Sequence, residues 1–380
     1  MRARLRLLPA ALLALAALLA CSEPAPRVTP EQHAEGLYLK SQLEYHQGKF
    51  TEALATLATV RRVLPADARL PAAEGEVHLA LGQLKESAAA FEAALEREPR
   101  RATTWSRLGY VRAQLGQTHE AMTALRRAVA LFPEDEGALE LLGELHRRRE
   151  EWDEAVRHFQ LAARAAAPAS RAALHLRAQE VRVGQGRREE ARVLLEEAAQ
   201  AGVRDASLLA ALGELQVRTG ALEAATASYT EAARKAPNDP TLWEVVGELH
   251  LRQDRPGDAL LAFRESLRVK ERTRVHVAVA RIQLARQERR AAQESLEHAL
   301  ASATGRDARE LQELAQLLAD LGRKPDALKL LAQLSAEPGQ EKDVALQRRT
   351  ARLARELGER ATASAACARV RRVEARAACP

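Results

Sequence analysis

The sequence predicts an all-α chain, a solenoid of helix-turn-helix hairpins, and three series of small residues carry that expectation. Gly75, Gly109 and Gly143 stand 34 residues apart, and so do Gly213 and Gly247. Gly48, Gly82 and Gly116 keep the same step, which Gly186 and Gly220 repeat. A third series runs Ala53, Ser87, Ala121, Ala155, Ala191, Ala225 and Ala259, with one interval of 36. A period of that length holds two short helices and their turns, so each repeat is one hairpin that buries its apolar face against its neighbours. The 380 residues are 47% hydrophobic, 3% aromatic and 29% charged. Apolar residues are too plentiful for a disordered chain, and three Cys cannot supply a disulfide framework.

Taken in order, the first segment is a targeting signal. Arg2, Arg4 and Arg6 precede an apolar run of 14 residues from Leu7 to Ala20. That run falls short of the roughly 20 residues a membrane-spanning helix needs, so residues 1–20 read as a removable signal peptide. Leu18-Leu19-Ala20-Cys21 resembles the bacterial lipobox, although Leu19 departs from the small residue more usual at its place. The resemblance implies that the Cys21 thiol receives a diacylglyceryl group, that the chain is cut before it and that the new amine is acylated. Ser22, standing where Asp would retain the protein at the inner membrane, implies the periplasmic face of the outer membrane. Two or three acyl chains on one residue hold a protein firmly on a bilayer. Residues 21–33 are therefore expected to be a lipidated cysteine and a polar, Pro-rich flexible tether.

Residues 34–372 read as about ten hairpins, beginning near Ala34, Ala68, Ala102, Glu136, Ala172, Ala206, Pro240, Thr273, Ala308 and Val344. They leave no room for a separate catalytic domain, and 373–380 remains as a tail. The clearest unit contains Trp105, Leu108-Gly109, Gly116, Ala121, Leu125, Ala128 and Pro133. Gly109 and Ala121 mark the crossing of the two helices, where a larger side chain would push the backbones apart. Gly116 lies in the turn, where positive φ is cheap only for glycine, and Pro133 ends the second helix. Phe91, Phe159, Tyr229 and Phe263 share one place on the second helices, and Trp105 and Trp243 lead first helices, so the few aromatics are expected in the core. This spacing resembles the tetratricopeptide repeat. The resemblance implies a right-handed α-solenoid whose concave face, lined by first helices, binds other proteins. It is weaker in the fifth unit, where Ala178-Gln179 replaces Leu-Gly, and in the eighth, where Val279-Ala280 and Gln287 stand.

Signatures of chemistry are missing. The sequence has no G-x-S-x-G elbow, Gly-rich phosphate loop, H-E-x-x-H or C-x-x-C. His78, His146 and His250 occupy one place in three repeats, and equivalent places lie a whole hairpin apart, so they do not converge on a metal. No metal, cofactor or small-molecule substrate is expected. If one helix ran through Cys367 and Cys379 it would hold them about 18 Å apart, beyond disulfide reach. A bridge requires the chain to turn back near Arg376, so a bridge and two free thiols both stay open.

By the same resemblance the candidate peptide groove contains Tyr45, Tyr110, Glu144, Arg148, Glu214, Arg218, Glu248 and Arg252. Glu144 with Arg148, Glu214 with Arg218 and Glu248 with Arg252 are Glu and Arg at i,i+4 in the stabilising order, worth a few tenths of a kcal/mol each. They read either as a solvated, self-satisfied surface or as a mixed-charge groove that selects a peptide by electrostatic register. Repeats that grip a chaperone's C-terminal carboxylate resemble one another in a Lys and Asn four apart on the first helix, and no unit here has that pair.

The formal charge of +6 shrinks once the signal leaves, with 55 basic residues against 52 acidic ones. Residues 345–380 alone carry nine Arg against three Glu, so the basicity belongs to one end of the array. Nucleic acid is therefore not an expected partner. The expected function is a non-enzymatic, membrane-anchored protein–protein interaction scaffold of the bacterial cell envelope. It would help assemble or stabilise a pilus, secretin or export system, reaching other proteins through the groove and the lipid bilayer through acylated Cys21. The alternative is an adaptor that recruits a peptidoglycan hydrolase or protease to its client.

Overall fold

The computed structural model describes residues 29–302 and 307–374. The signal, Cys21 and Cys379 lie outside the described residues. Among those described, the chain forms twenty helices and no strand. It divides into two compact units, Met1–Leu174 and His175–Pro380.

The first unit holds four complete hairpins: α1 (Pro30–His46) with α2 (Phe50–Val63), α3 (Leu70–Ala80) with α4 (Leu84–Arg97), α5 (Ala102–Gln114) with α6 (Thr118–Leu131), and α7 (Glu136–Arg148) with α8 (Trp152–Ala165). The boundary between the units falls inside α9 (Pro168–Gly184), which pairs in sequence with α10 (Arg188–Gln200). The second unit continues with α11 (Ala206–Arg218) and α12 (Leu222–Lys235), α13 (Pro240–Arg252) and α14 (Pro256–Val269), and α15 (Thr273–Ala285) and α16 (Arg289–Ser302). It ends with α17 (Ala308–Asp320) and α18 (Lys324–Ala336), then α19 (Val344–Glu356) and α20 (Arg360–Val373).

The helix starts follow from capping. Asp135, Asp205, Asp239, Asp307 and Asp343 each stand just before a first helix, with a side-chain oxygen accepting a backbone N–H of the first turn. Thr29 does the same for α1. Its hydroxyl accepts from the Gln32 N–H at 3.2 Å while Gln32 Oε1 accepts from the Thr29 N–H at 2.9 Å, a capping box followed by Pro30 at the first helical position. This corrects the tether expected over 21–33, because Pro30 to His33 are helical. The tail expected from 373 is likewise shortened, since Val373 still belongs to α20.

The interior is built by the small-residue series. Ala53, Ser87, Ala121, Ala155, Ala191, Ala225 and Ala259 are all 0% exposed. A Cβ added at Gly75, Gly109, Gly143, Gly213 or Gly247 would lie 2.5–2.8 Å from a side chain on the second helix of its own hairpin. Those side chains are Phe91, Leu125, Phe159, Tyr229 and Phe263 respectively. The ring or Leu thus rests directly on the glycine backbone, and the two helices approach closely because nothing stands between. Ala280 and Ala315 take the glycine place in later hairpins. There the facing residue is Leu296 or Leu331, in one buried cluster with its Ala, so the extra methyl goes with a smaller partner.

The turn within each hairpin needs one residue at positive φ. Gly116 supplies it at φ 75°, letting its own N–H reach Ala113 O at 3.0 Å and the Gln117 N–H reach Arg112 O at 2.9 Å. Three turns use another residue: Glu150 at φ 60°, Asp254 at φ 56° and Gln287 at φ 62°. Left-handed backbone costs a non-glycine residue about 1–2 kcal/mol, offset in part by glycine's greater freedom when unfolded. Gln287→Gly is therefore expected to stabilise the second unit by about 0.5–1 kcal/mol, read as a higher urea midpoint at unchanged slope.

Candidate functional site

First helices within a unit leave lined spaces between them. In the first unit a cavity of about 390 Å³ opens among α1, α3 and α5, floored by Leu57, Val77 and Phe91. Tyr45 is on its wall, held edge-on against Phe50 with ring centroids 5.5 Å apart. Opposite, Arg69 lies 4.3 Å over the Tyr38 ring and is fixed by Asp67 and Glu35, each at 2.8 Å. Arg107 pairs with Glu76 at 2.9 Å. Burial pushes the Glu76 carboxyl above its ordinary range, and the Arg107 charge pulls the other way. The result is a largely polar pocket on an apolar floor, with Arg69, Glu76 and Arg107 already paired.

In the second unit a cavity of about 310 Å³ lies between α11 and α13, against Tyr229 of α12. Glu214, Arg218, Glu248 and Arg252 all line it, with Val217, Val245 and Leu249 supplying the apolar surface. Four of the eight candidate groove residues are thus brought together. Glu214 and Arg218 close a salt bridge at 2.7 Å. The pair expected between Glu248 and Arg252 is not made, and among the described residues no ion pair engages either side chain. Both are exposed, and an exposed pair gains too little over water to hold two long side chains in one geometry. Burial pushes the Tyr229 hydroxyl upward, with Glu214 adding to the shift and Arg218 opposing it.

The remaining candidates line neither cavity. Tyr110 is 42% exposed on α5. Glu144 is gripped by Arg147 at 2.7 Å and Arg148 at 3.1 Å, and these guanidinium groups lower its pKa, Arg147 foremost.

Of the repeated histidines, His146 links the two helices of its hairpin. In other units their place is taken by Glu44, Gln216 and Gln283, which accept hydrogen bonds at 2.7–2.8 Å from Thr56, Ser228 and Ser295 on the second helix. His146 fills the same role by stacking on His158, with ring centroids 4.9 Å apart and planes 16° from parallel. Glu271, His276 and His298 converge from non-equivalent places, which repeat spacing does not reveal. Cys367 is buried in α20 and disulfide-bonded. No helix among the described residues is long and apolar enough to cross a membrane.

Helical hairpins of one length, each locked by a small residue under a larger side chain and leaving lined spaces between first helices, define a repeat protein suited to holding other proteins. The chain belongs to the tetratricopeptide repeat family, whose model matches residues 72–136, 107–171, 180–240 and 223–272. Over 71 residues it is 44% identical to the protein CTR9 homolog of Arabidopsis thaliana, a stretch covering 19% of this chain and 6% of that protein. Among solved structures it is similar to YrrB, a TPR protein with an unusual peptide-binding site, at 18% identity and a TM-score of 0.36, covering 48% of this chain and 93% of YrrB. It is also similar to a chain of the APC/C hetero-tetramer Cut9–Hcn1, at 17% identity and a TM-score of 0.33, covering 75% and 55%. Superpositions this loose carry no function across.

Proposed function

We propose that this protein is a non-enzymatic scaffold of the bacterial cell envelope, held at the periplasmic face of the outer membrane by acylated Cys21. On its first-helix face it gathers other proteins and so helps assemble an envelope machine such as a pilus, secretin or export system. One observation carries the binding half of this reading. The cavity between α11 and α13 combines an apolar wall with charges of both signs, and Glu248 and Arg252 are not committed to each other. Such a rim selects a peptide by electrostatic register while the apolar wall takes its side chains. The anchoring half is supported by Leu18-Leu19-Ala20-Cys21 after a short apolar run.

Crosslinked capture of the anchored protein from its own envelope tests both halves. Wild type is expected to bring down components of one assembly, and Arg252→Glu to recover them at least about tenfold less, because a like-charge contact at an interface costs several kcal/mol. Equal recovery by both forms would move binding elsewhere, and recovery of a hydrolase with its client would favour the adaptor. Cys21→Ala is expected to move the mature chain from the membrane to the soluble fraction. Membrane recovery that persists through a salt wash would refute the lipid anchor.

A further inference from the structure

Three side chains with metal-binding atoms meet at the start of the hairpin α15–α16. Glu271 stands in the linker before α15, His276 in the first turn of α15 and His298 near the end of α16. One ligand atom from each lies within 4.8 Å of the other two. The two imidazole rings are nearly parallel, 12° apart in plane with centroids 5.3 Å apart, and His276 Nε2 is in hydrogen-bond contact with the Glu271 carboxylate.

The packing of the hairpin does not account for this arrangement. Its interhelical polar link is already made by Ser295, whose hydroxyl donates to Gln283 Oε1 at 2.8 Å. The other stacked pair, His146 with His158, occupies that linking place, and His158 Nδ1 is taken up there by the Glu154 carbonyl at 2.8 Å. His276, 6% exposed, turns a ring nitrogen toward a carboxylate and a ring face toward an imidazole much as His146 does toward Glu151 at 2.5 Å and toward His158, but among the described residues only here does a ligand atom of the second imidazole come within reach of both other groups. The nearby guanidinium groups of Arg272 and Arg274 are held by Glu244, which limits their repulsion of a cation.

We propose that Glu271, His276 and His298 bind one Zn2+ ion. Two imidazoles and a carboxylate are a donor set that zinc takes as three protein ligands, leaving a fourth position for water or a partner's side chain. Zinc ligands stand about 3.3 Å from one another when tetrahedral at bond lengths of about 2.0–2.1 Å, so the group must contract, and the His298 ring must turn out of its stack on His276 to aim its in-plane lone pair at the ion. Glu271 and His298 are exposed and free to move inward, while buried His276 fixes the position. On binding, His276 takes the tautomer with its one proton on Nδ1, exchanged through water, and the freed Nε2 lone pair joins one from His298 and one from a Glu271 oxygen on the metal. Nothing is oxidised or reduced. The ion would tie the linker after α14 to both helices of the eighth hairpin.

The test is calorimetric titration of metal-stripped, detergent-solubilised full-length protein with Zn2+ at neutral pH, with Mg2+ as control. One equivalent of Zn2+ and no Mg2+ is expected to bind, with a rise in melting temperature on zinc addition. Glu271→Gln and His298→Ala alter exposed side chains, so each should keep the metal-free helicity and melting temperature. Each should weaken zinc binding at least about tenfold, which is the least that loss of even an outer-shell partner costs. Substoichiometric binding by the wild type, or wild-type binding by both variants, would overturn the site and assign any zinc to other histidines.

Discussion

Replacing Phe159 by Ala is expected to lower the stability of the first unit by about 3–5 kcal/mol. The ring is 1% exposed and rests on Gly143, where an added Cβ would come within 2.8 Å of it. Removing the ring leaves a cavity between two helices already as close as their backbones allow, so the gap cannot close by further approach. The opposite error, Gly143→Ala, overpacks the same spot and is expected to cost about 1–3 kcal/mol. The later hairpins suggest a rescue, since Ala280 with Leu296 and Ala315 with Leu331 fill this place without an aromatic ring. Gly143→Ala with Phe159→Leu is therefore expected to be more stable than Phe159→Ala alone. In a repeat array each unit contacts mainly its neighbours, so the loss should appear as an early urea transition rather than a uniform shift. A loss below about 1 kcal/mol for Phe159→Ala would show that the ring is not the lock.

Glu244→Ala has the second large effect, a loss of about 3 kcal/mol in the second unit. Glu244 is 2% exposed and accepts from Arg272 at 2.8 Å, from Arg274 and from the Ser266 hydroxyl at 3.3 Å. Deleting one partner of a buried ion group leaves the others uncompensated. Here the loss stays toward the low end of the range because both guanidinium groups can turn outward to water. Glu244→Met should cost less than Glu244→Ala, since it refills the volume with apolar atoms. Salt separates this group from a surface pair, because buried charges are screened little. The urea midpoint difference from wild type should persist in 1 M salt, where the screening length falls to roughly 3 Å, and its disappearance would contradict a buried role.

These two predictions differ in how visible their residues were beforehand. The glycine and ring places were legible because a backbone crossing admits only one size of residue, and that restriction recurs at every repeat. Gathering Glu214, Arg218, Glu248 and Arg252 on one wall was legible for the same reason, since fixed offsets on adjacent first helices fix neighbours. Whether Glu248 and Arg252 would close was not legible, because an exposed pair is decided by small differences against water. Glu244 finds its cations in the linker and first turn of the next hairpin, off the repeat step, so periodicity gave no sign of them. Glu271, His276 and His298 were hidden likewise. The start of α1 is hard to place from sequence because Pro30 opens a helix as readily as it extends a tether, and the Thr29–Gln32 reciprocity distinguishes the two.

The glycine-to-ring lock also bears on how the chain acquires its structure. Phe91, Phe159, Tyr229 and Phe263 each make their closest approach to a glycine in the same hairpin, so the tightest interior contacts span short stretches of sequence. Little loop entropy must be lost before such a contact forms, which favours rapid, local nucleation. A chain emerging N-terminus first can therefore set each hairpin as it appears and zip the next onto it, without waiting for the C-terminal end.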